Sequence, residues 1–145
     1  MFHKPNHGFQ RTIVTTVELF WGDNQKKKDS DYVYEAYSKA IYFLDKEEYE
    51  KSLPYFEVAV KTDELLLKAW AHFRIGFCYE KLGNYKDAIE PLKQAIRLDP
   101  DDAIDHCALG FAYSRIGDIN SALNEYKILK ELDIDLANKL FDFIY

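Results

Sequence analysis

The chain has little of what small secreted proteins and membrane proteins depend on. Its 145 residues include only two cysteines, Cys78 and Cys107, which is too few for a disulfide framework. No apolar run is long enough to span a bilayer, and no basic and apolar leader follows Met1. We therefore expect a cytoplasmic protein without a membrane span.

Clustered positive charge and catalytic motifs are also lacking. The net charge is −6, and the one basic run, Lys26 to Lys28, is flanked by Asp23 and Asp29, so we expect no nucleic-acid partner. The common zinc, nucleophile-elbow and phosphate-loop patterns are absent, and two histidines, His72 and His106, make a poor metal site. We therefore expect that the chain is not an enzyme and that it binds neither a metal ion nor a cofactor.

Aromatic residues are abundant, at 16% of the chain with 11 tyrosines and 10 phenylalanines. Four of them lie in a predicted helix from Ala69 to Gly83, which is apolar on two sides instead of one. One stripe holds Ile75, Gly76, Tyr79 and Leu82, and the other holds Trp70, Phe73 and Phe77. The second stripe must face either a large core or a partner.

The chain repeats itself with a period of 34 residues. Two glycines, a tyrosine, an alanine and a leucine recur in register: Gly76, Tyr79, Gly83, Ala88 and Leu98 are matched by Gly110, Tyr113, Gly117, Ala122 and Leu132. Each unit reads as two helices joined at a turn that contains glycine. The repeat therefore predicts helical hairpins stacked in an array.

This pattern resembles the tetratricopeptide repeat, which it matches at Gly76, Tyr79, Gly83, Tyr85, Ala88, Leu92, Ala95 and Pro100. The resemblance implies an all-α fold, a right-handed α-solenoid of helix-turn-helix repeats. It places a divergent first repeat at 33–68, with Glu47 in place of the turn glycine, a second at 69–102 and a third at 103–136. A capping helix would follow at 137–145, after an Asp135 cap.

The N-terminal segment, 1–31, lies outside the repeats. Apolar residues at helical spacing over 12–21 predict an amphipathic helix, with a short strand as the alternative because threonine and valine weaken helix propensity. The polar stretch DNQKKKDSD, 23–31, predicts a flexible linker before the first repeat.

In the family that the chain resembles, the first helices of successive repeats line a concave channel that holds a ligand. Carried onto this chain, that register implies a peptide-binding groove of Tyr34, Tyr37, Ile41, Leu44, Trp70, Phe73, Phe77, Ile104, Cys107 and Phe111. Family members that bind the acidic tails of heat-shock chaperones use a clamp of Lys, Asn and Arg. The matching positions here are Tyr37, Ile41, Arg74, Ile104 and Ala108, of which one is basic.

We therefore expect a noncatalytic protein-protein interaction module, acting as an adaptor, scaffold or assembly subunit. Its partner would be a protein or peptide with an apolar face, bound in the aromatic groove. Two alternatives remain open at this point. The module could be a homo-oligomer whose groove is filled by its own or a neighbour's terminal helix, or a small chaperone for hydrophobic segments of secreted proteins.

Overall fold

The structure, a computed structural model, describes the backbone of residues 7–145 and the side chains of residues 25–145. It contains two compact units, 1–32 and 33–145. Every regular element in the described part of the chain is a helix: α1 His7–Asp45, α2 Tyr49–Ala59, α3 Leu65–Lys81, α4 Tyr85–Leu98, α5 Ala103–Arg115, α6 Ile119–Leu132 and α7 Ile134–Ile144. The all-α class predicted from the sequence is confirmed.

The N-terminal segment differs from its prediction. The helix expected at 12–21 does not end at Gly22, because α1 continues without a break to Asp45. The stretch 23–31 is thus helical and not a linker. Its glutamine and lysines are good helix formers, a single internal glycine costs only about 1 kcal/mol, and the Gln25 amide donates to Asp29 one turn later, at 3.3 Å.

Within 33–145 the helices pack as successive hairpins. α3 packs on α4, α5 on α6, and α4 on α5. Small residues allow the close approach: a Cβ on Gly76 would lie 2.6 Å from Cγ of Leu92, and a Cβ on Gly110 would lie 2.4 Å from a methyl carbon of Leu140. Since Leu92 and Leu140 are fully buried, these glycines and leucines form the tightest points of the core.

α7 closes the last hairpin. Its N-cap is Asp133, whose carboxylate accepts the backbone N–H groups of Asp135 and Leu136, each at 3.0 Å. The cap predicted at Asp135 is therefore wrong, because Asp135 already lies in the first helical turn. From α7, Leu140 packs over Gly110 of α5, so the terminal helix is part of the core of the third hairpin.

The turns between paired helices share one backbone conformation. Gly83 and Gly117 have φ of 78° and 82°, and Glu47, at the same place in the first hairpin, has φ of 58°. This left-handed region is open to glycine but costs a residue with a Cβ about 1 to 2 kcal/mol. Glu47 is the only non-glycine residue with positive φ in the described part of the chain.

Replacing Glu47 by glycine should therefore stabilise the protein, by about 0.5 to 1 kcal/mol once the greater freedom of glycine in the unfolded chain is subtracted. Urea unfolding followed by circular dichroism measures the difference. Glu57→Gly, at an exposed position inside α2, is the matched control and should destabilise. A loss of stability on Glu47→Gly would show that the turn depends on the glutamate side chain.

Candidate functional site

A pocket of about 410 Å³ opens where the first helices of the three hairpins come together. α1, α3 and the start of α5 each contribute side chains to its wall. The lining residues are Tyr37, Trp70, Phe73, Arg74, Asp102, Ile104 and Asp105. The wall is aromatic on the α1 and α3 sides and carries two carboxylates on the α5 side.

The aromatic wall is held by ring contacts with the core. Tyr37 meets Phe56 of α2 edge to face, with ring centroids 5.5 Å apart. Phe73 lies 6.5 Å from Phe77, and Phe77 in turn meets Tyr49 edge to face at 6.4 Å. Because these rings are fixed by their neighbours, the wall is preformed and a ligand need not order it.

Two large apolar side chains of the pocket are exposed to solvent. Trp70 is 53% exposed and Ile104 is 58% exposed. Leu66, one turn before Trp70 on α3, is also exposed. Buried packing would hide side chains of this size, so their exposure marks an unfilled apolar surface.

The carboxylates of the pocket were not predicted as site residues. Asp102 is the N-cap of α5 and accepts the Ile104 N–H at 2.8 Å. Asp105 is buried, and burial, reinforced by the nearby charges of Asp102 and Asp99, raises its pKa to about 7, while His106 acts in the opposite direction. A sequence signal existed: Asp105 stands 34 residues after Ala71, a fully buried packing position.

Four of the ten residues predicted for the groove line this pocket: Tyr37, Trp70, Phe73 and Ile104. The tyrosine hydroxyl of Tyr34 instead donates to Glu64. Ile41 and Leu44 are half-buried and pack against the core cluster formed by α1, α2 and α3.

The remaining three predicted residues are covered by the chain itself. Phe77 is half-buried between its ring neighbours, and Cys107 is buried in the core. Phe111 meets Phe143 of α7 edge to face, with centroids 4.6 Å apart. The open part of the predicted groove is therefore the pocket at Tyr37, Trp70, Phe73 and Ile104, and the terminal helix occupies the position beside Phe111.

One carboxylate further along α3 lacks a partner. Glu80 is half-buried, and its Oε1 atom has no hydrogen bond. Burial raises the pKa of Glu80 to about 7, although Lys81 acts in the opposite direction. The pKa of Cys107 rises to about 11 through burial and the nearby Glu80, so this thiol stays protonated and unreactive at neutral pH.

The two histidines at equivalent repeat positions have different environments. Both ring nitrogens of His106 face acceptors, with Nδ1 2.7 Å from Oε2 of Glu125 and Nε2 2.8 Å from the Pro100 carbonyl. An imidazole donates from both nitrogens only when protonated, and the pKa of His106 is accordingly raised, mainly by Glu125. Burial instead lowers the pKa of His72. His106 thus ties α5 to α6.

The part of the chain that the structure describes contains neither a metal-binding cluster nor a membrane-spanning helix. Among these residues, no cluster of three or more His, Cys, Asp or Glu side chains is placed to bind a metal ion. None of the described helices combines the length and apolar character needed to cross a membrane.

The repeat and the fold both have counterparts among known proteins. Residues 69–102 match the tetratricopeptide repeat family. No curated protein matches the chain in sequence.

Among solved structures, the second tetratricopeptide domain of human RPAP3, determined with the HSP70 peptide SGPTIEEVD, has a TM-score of 0.70 at 18% identity over 82% of this chain and 97% of that chain. The Sgt2 domain of Aspergillus fumigatus has a TM-score of 0.67 at 17% identity, covering 77% and 76%. The MamA R50E mutant has 0.64 at 26% identity, covering 71% and 74%.

At these identities the structural likeness concerns the fold, and it confirms the helical-repeat architecture predicted from the sequence. Its successive hairpins, with Gly83 and Gly117 in the turns, are those expected from the 34-residue period. The chain thus carries a tetratricopeptide-repeat match at 69–102 within a helical-repeat fold that is similar to those of the tetratricopeptide domains above.

Proposed function

We propose that this chain is a noncatalytic protein-interaction module that binds an amphipathic helix or hydrophobic peptide across the first helices of its repeats. The observation that carries the proposal is the exposure of Trp70 and Ile104 on a preformed aromatic pocket. Tryptophan is among the residues that most often dominate the energy of protein interfaces. We also propose that the chain acts in the cytoplasm as an adaptor, a scaffold or an assembly subunit.

The exposed surface is large enough to support binding. If Leu66, Trp70 and Ile104 each lose about 60 Å² of apolar exposure to a ligand, the transfer free energy is roughly 4 to 5 kcal/mol at about 25 cal/mol/Å². Further contacts with Tyr37 and Phe73 add to this before the cost of association is subtracted. A micromolar complex requires about 8 kcal/mol of net binding free energy, so we expect these side chains to supply part of it and ligand contacts along the rest of the first helices to supply the remainder.

The charges of the pocket favour a ligand unlike those of the RPAP3 domains. Those domains were solved with the peptides SRMEEVD and SGPTIEEVD, which end in acidic residues. On the pocket lining of this chain, Arg74 is the one basic residue, and Asp102 and Asp105 carry the opposite charge. These carboxylates would repel an acidic tail at close range, whereas they would not repel an apolar segment.

One contact favours a second candidate function, self-association. Phe143 of the terminal helix already covers Phe111, so an apolar helix of this same chain is suited to the groove. In that case one molecule's helix would fill the pocket of another. Sedimentation velocity over a range of concentrations separates the candidates, because self-association requires a stable oligomer without a foreign ligand.

The proposed function predicts the outcome of a peptide selection on the full chain. Random displayed peptides that bind should be enriched in amphipathic segments with aromatic or aliphatic residues at helical spacing. Trp70→Ala should weaken the best of them at least about 30-fold in a fluorescence anisotropy titration, the effect typical of an interface hot spot. Tyr42→Ala is the matched control, since Tyr42 is 55% exposed on α1 and does not line the pocket.

Equal loss of affinity in Trp70→Ala and Tyr42→Ala would show that the peptide binds outside the pocket. Enrichment of acidic peptides, or of no peptide at all, would also contradict the proposed function. Circular dichroism of Trp70→Ala should match the unchanged protein, since the side chain is more than half exposed.

A further inference from the structure

The α5 side of the pocket holds a buried carboxylate without a partner. Asp105 is 5% exposed and lines the pocket. Its carboxylate makes no hydrogen bond and no ion pair among the described residues, although the nearby His106 acts on it electrostatically. Its oxygens still reach the solvent of the pocket, since the fully buried side-chain atom without a partner in the described residues is Oε1 of Glu80. Aspartate is almost never buried to this extent unless it is paired, since an uncompensated charge is costly away from water. No described side chain of the pocket places a positive charge within ion-pair distance of Asp105.

The neighbouring groups supply that charge only in part, because His106 acts on Asp105 electrostatically without forming an ion pair with it. Arg74 lines the pocket, but no ion pair within 4 Å joins it to Asp102 or Asp105 in the described structure. The guanidinium carbon of Arg74 lies 5.8 Å from the centre of the Phe73 ring. Asp102 adds a second negative charge, and His106 is engaged with Glu125 and Pro100. The pocket keeps an excess of negative charge on its α5 side.

The rest of the wall suits a long basic side chain. The rings of Tyr37, Trp70 and Phe73 offer faces that attract a cation. Lysine and arginine carry an apolar stem that packs on such surfaces while the charged head reaches a carboxylate. A charge-assisted hydrogen bond to Asp105 would satisfy the buried group.

We propose that this pocket receives a lysine or arginine side chain of the bound peptide, with its stem against Trp70 and Ile104 and its charged head at Asp105. This inference rests on the proposed function and adds to it the chemistry of one ligand position. The partner is thus an amphipathic segment with a basic residue within its apolar face.

The titration of Asp105 supports the same arrangement. Burial raises the pKa of Asp105 to about 7, and a bound cation would favour the ionised form and lower that pKa. Binding should therefore strengthen as the pH rises from about 6 to 8. The charged or titratable groups that surround Asp105 are Tyr37 on α1, Arg74 on α3, and Asp99, Asp102 and His106 at the start of α5.

The test uses n-butylammonium chloride as the probe and n-butanol as its uncharged counterpart, both titrated into the full chain. The indole resonance of Trp70, identified with Trp70→Phe, reports binding in nitrogen–proton NMR spectra. We expect butylammonium to bind with about millimolar affinity and to weaken at least about fivefold in Asp105→Asn. Asp101→Asn, at an exposed position in the preceding turn, should leave the affinity unchanged.

n-Butanol should bind the unchanged protein and Asp105→Asn alike, which also shows that the pocket of the variant is intact. The inference is overturned if butylammonium binds no more tightly than butanol, or if Asp105→Asn leaves its affinity unchanged. The peptide selection judges the proposed function separately. Enriched apolar peptides with no preferred basic position would overturn this inference and leave the proposed function standing.

Discussion

Replacing Gly76 by alanine should lower the free energy of unfolding by about 2 kcal/mol, even though alanine is the better helix former. The new Cβ would lie 2.6 Å from Cγ and 2.7 Å from Cδ2 of Leu92, far inside van der Waals contact. Leu92 is fully buried, and since protein cores are close-packed, moving its side chain aside costs packing energy. Thermal and urea unfolding followed by circular dichroism measure the loss.

The variant Leu92→Ala supplies the control for this prediction. Alone it should destabilise by about 2 to 5 kcal/mol, because it leaves a cavity between α3 and α4. In that background, Gly76→Ala should become neutral or stabilising, since the atoms it would meet are gone. Equal losses from Gly76→Ala in both backgrounds would show that the glycine is needed for a reason other than its contact with Leu92.

Replacing Glu80 by glutamine should stabilise the protein at pH 8 by about 1 to 3 kcal/mol. Glu80 is half-buried with an unpaired Oε1 atom, and burial raises its pKa to about 7. At pH 8 the folded protein must therefore hold a poorly solvated negative charge. Glutamine has the same shape without the charge.

The gain from Glu80→Gln should depend on pH in a defined direction. Because the folded state binds this proton more tightly than the unfolded state, wild-type stability falls as the pH rises from about 4.5 to about 7. The difference between Glu80→Gln and wild type should be small near pH 4.5 and full above pH 7. Glu57→Gln, on the exposed face of α2, should show no such dependence. A gain that is constant with pH would contradict the role of the buried charge.

Much of the fold follows from the sequence because repetition specifies it. The recurrence of Gly83 as Gly117 predicted the turns between paired helices, and the structure shows that both glycines adopt positive φ there. The linker predicted at 23–31 is instead part of α1. The polarity of 23–31 predicts a loop, but glutamine and lysine are also strong helix formers, and no proline interrupts them.

Less of the candidate site could be predicted from the sequence. The repeat register identified Tyr37, Trp70, Phe73 and Ile104, which the pocket brings together. It did not show that Phe143 would cover Phe111, because α7 lies outside the repeat and follows no register. The aspartates near the start of α5 were not among the residues that the register predicted for the site. Asp102 caps the helix, whereas Asp105 lines the pocket. The position of Asp105 depends on how α5 packs against α3, which the sequence alone does not determine.

The most direct test of the central claim is the NMR footprint of a selected amphipathic peptide on the isotopically labelled chain. We expect the side-chain resonances of Tyr37, Trp70 and Ile104 to shift on binding, while those of Tyr42 stay in place. Shifts confined to other surfaces, with the Trp70 indole unchanged at saturation, would contradict the claim that the exposed aromatic pocket is where this protein meets its partner.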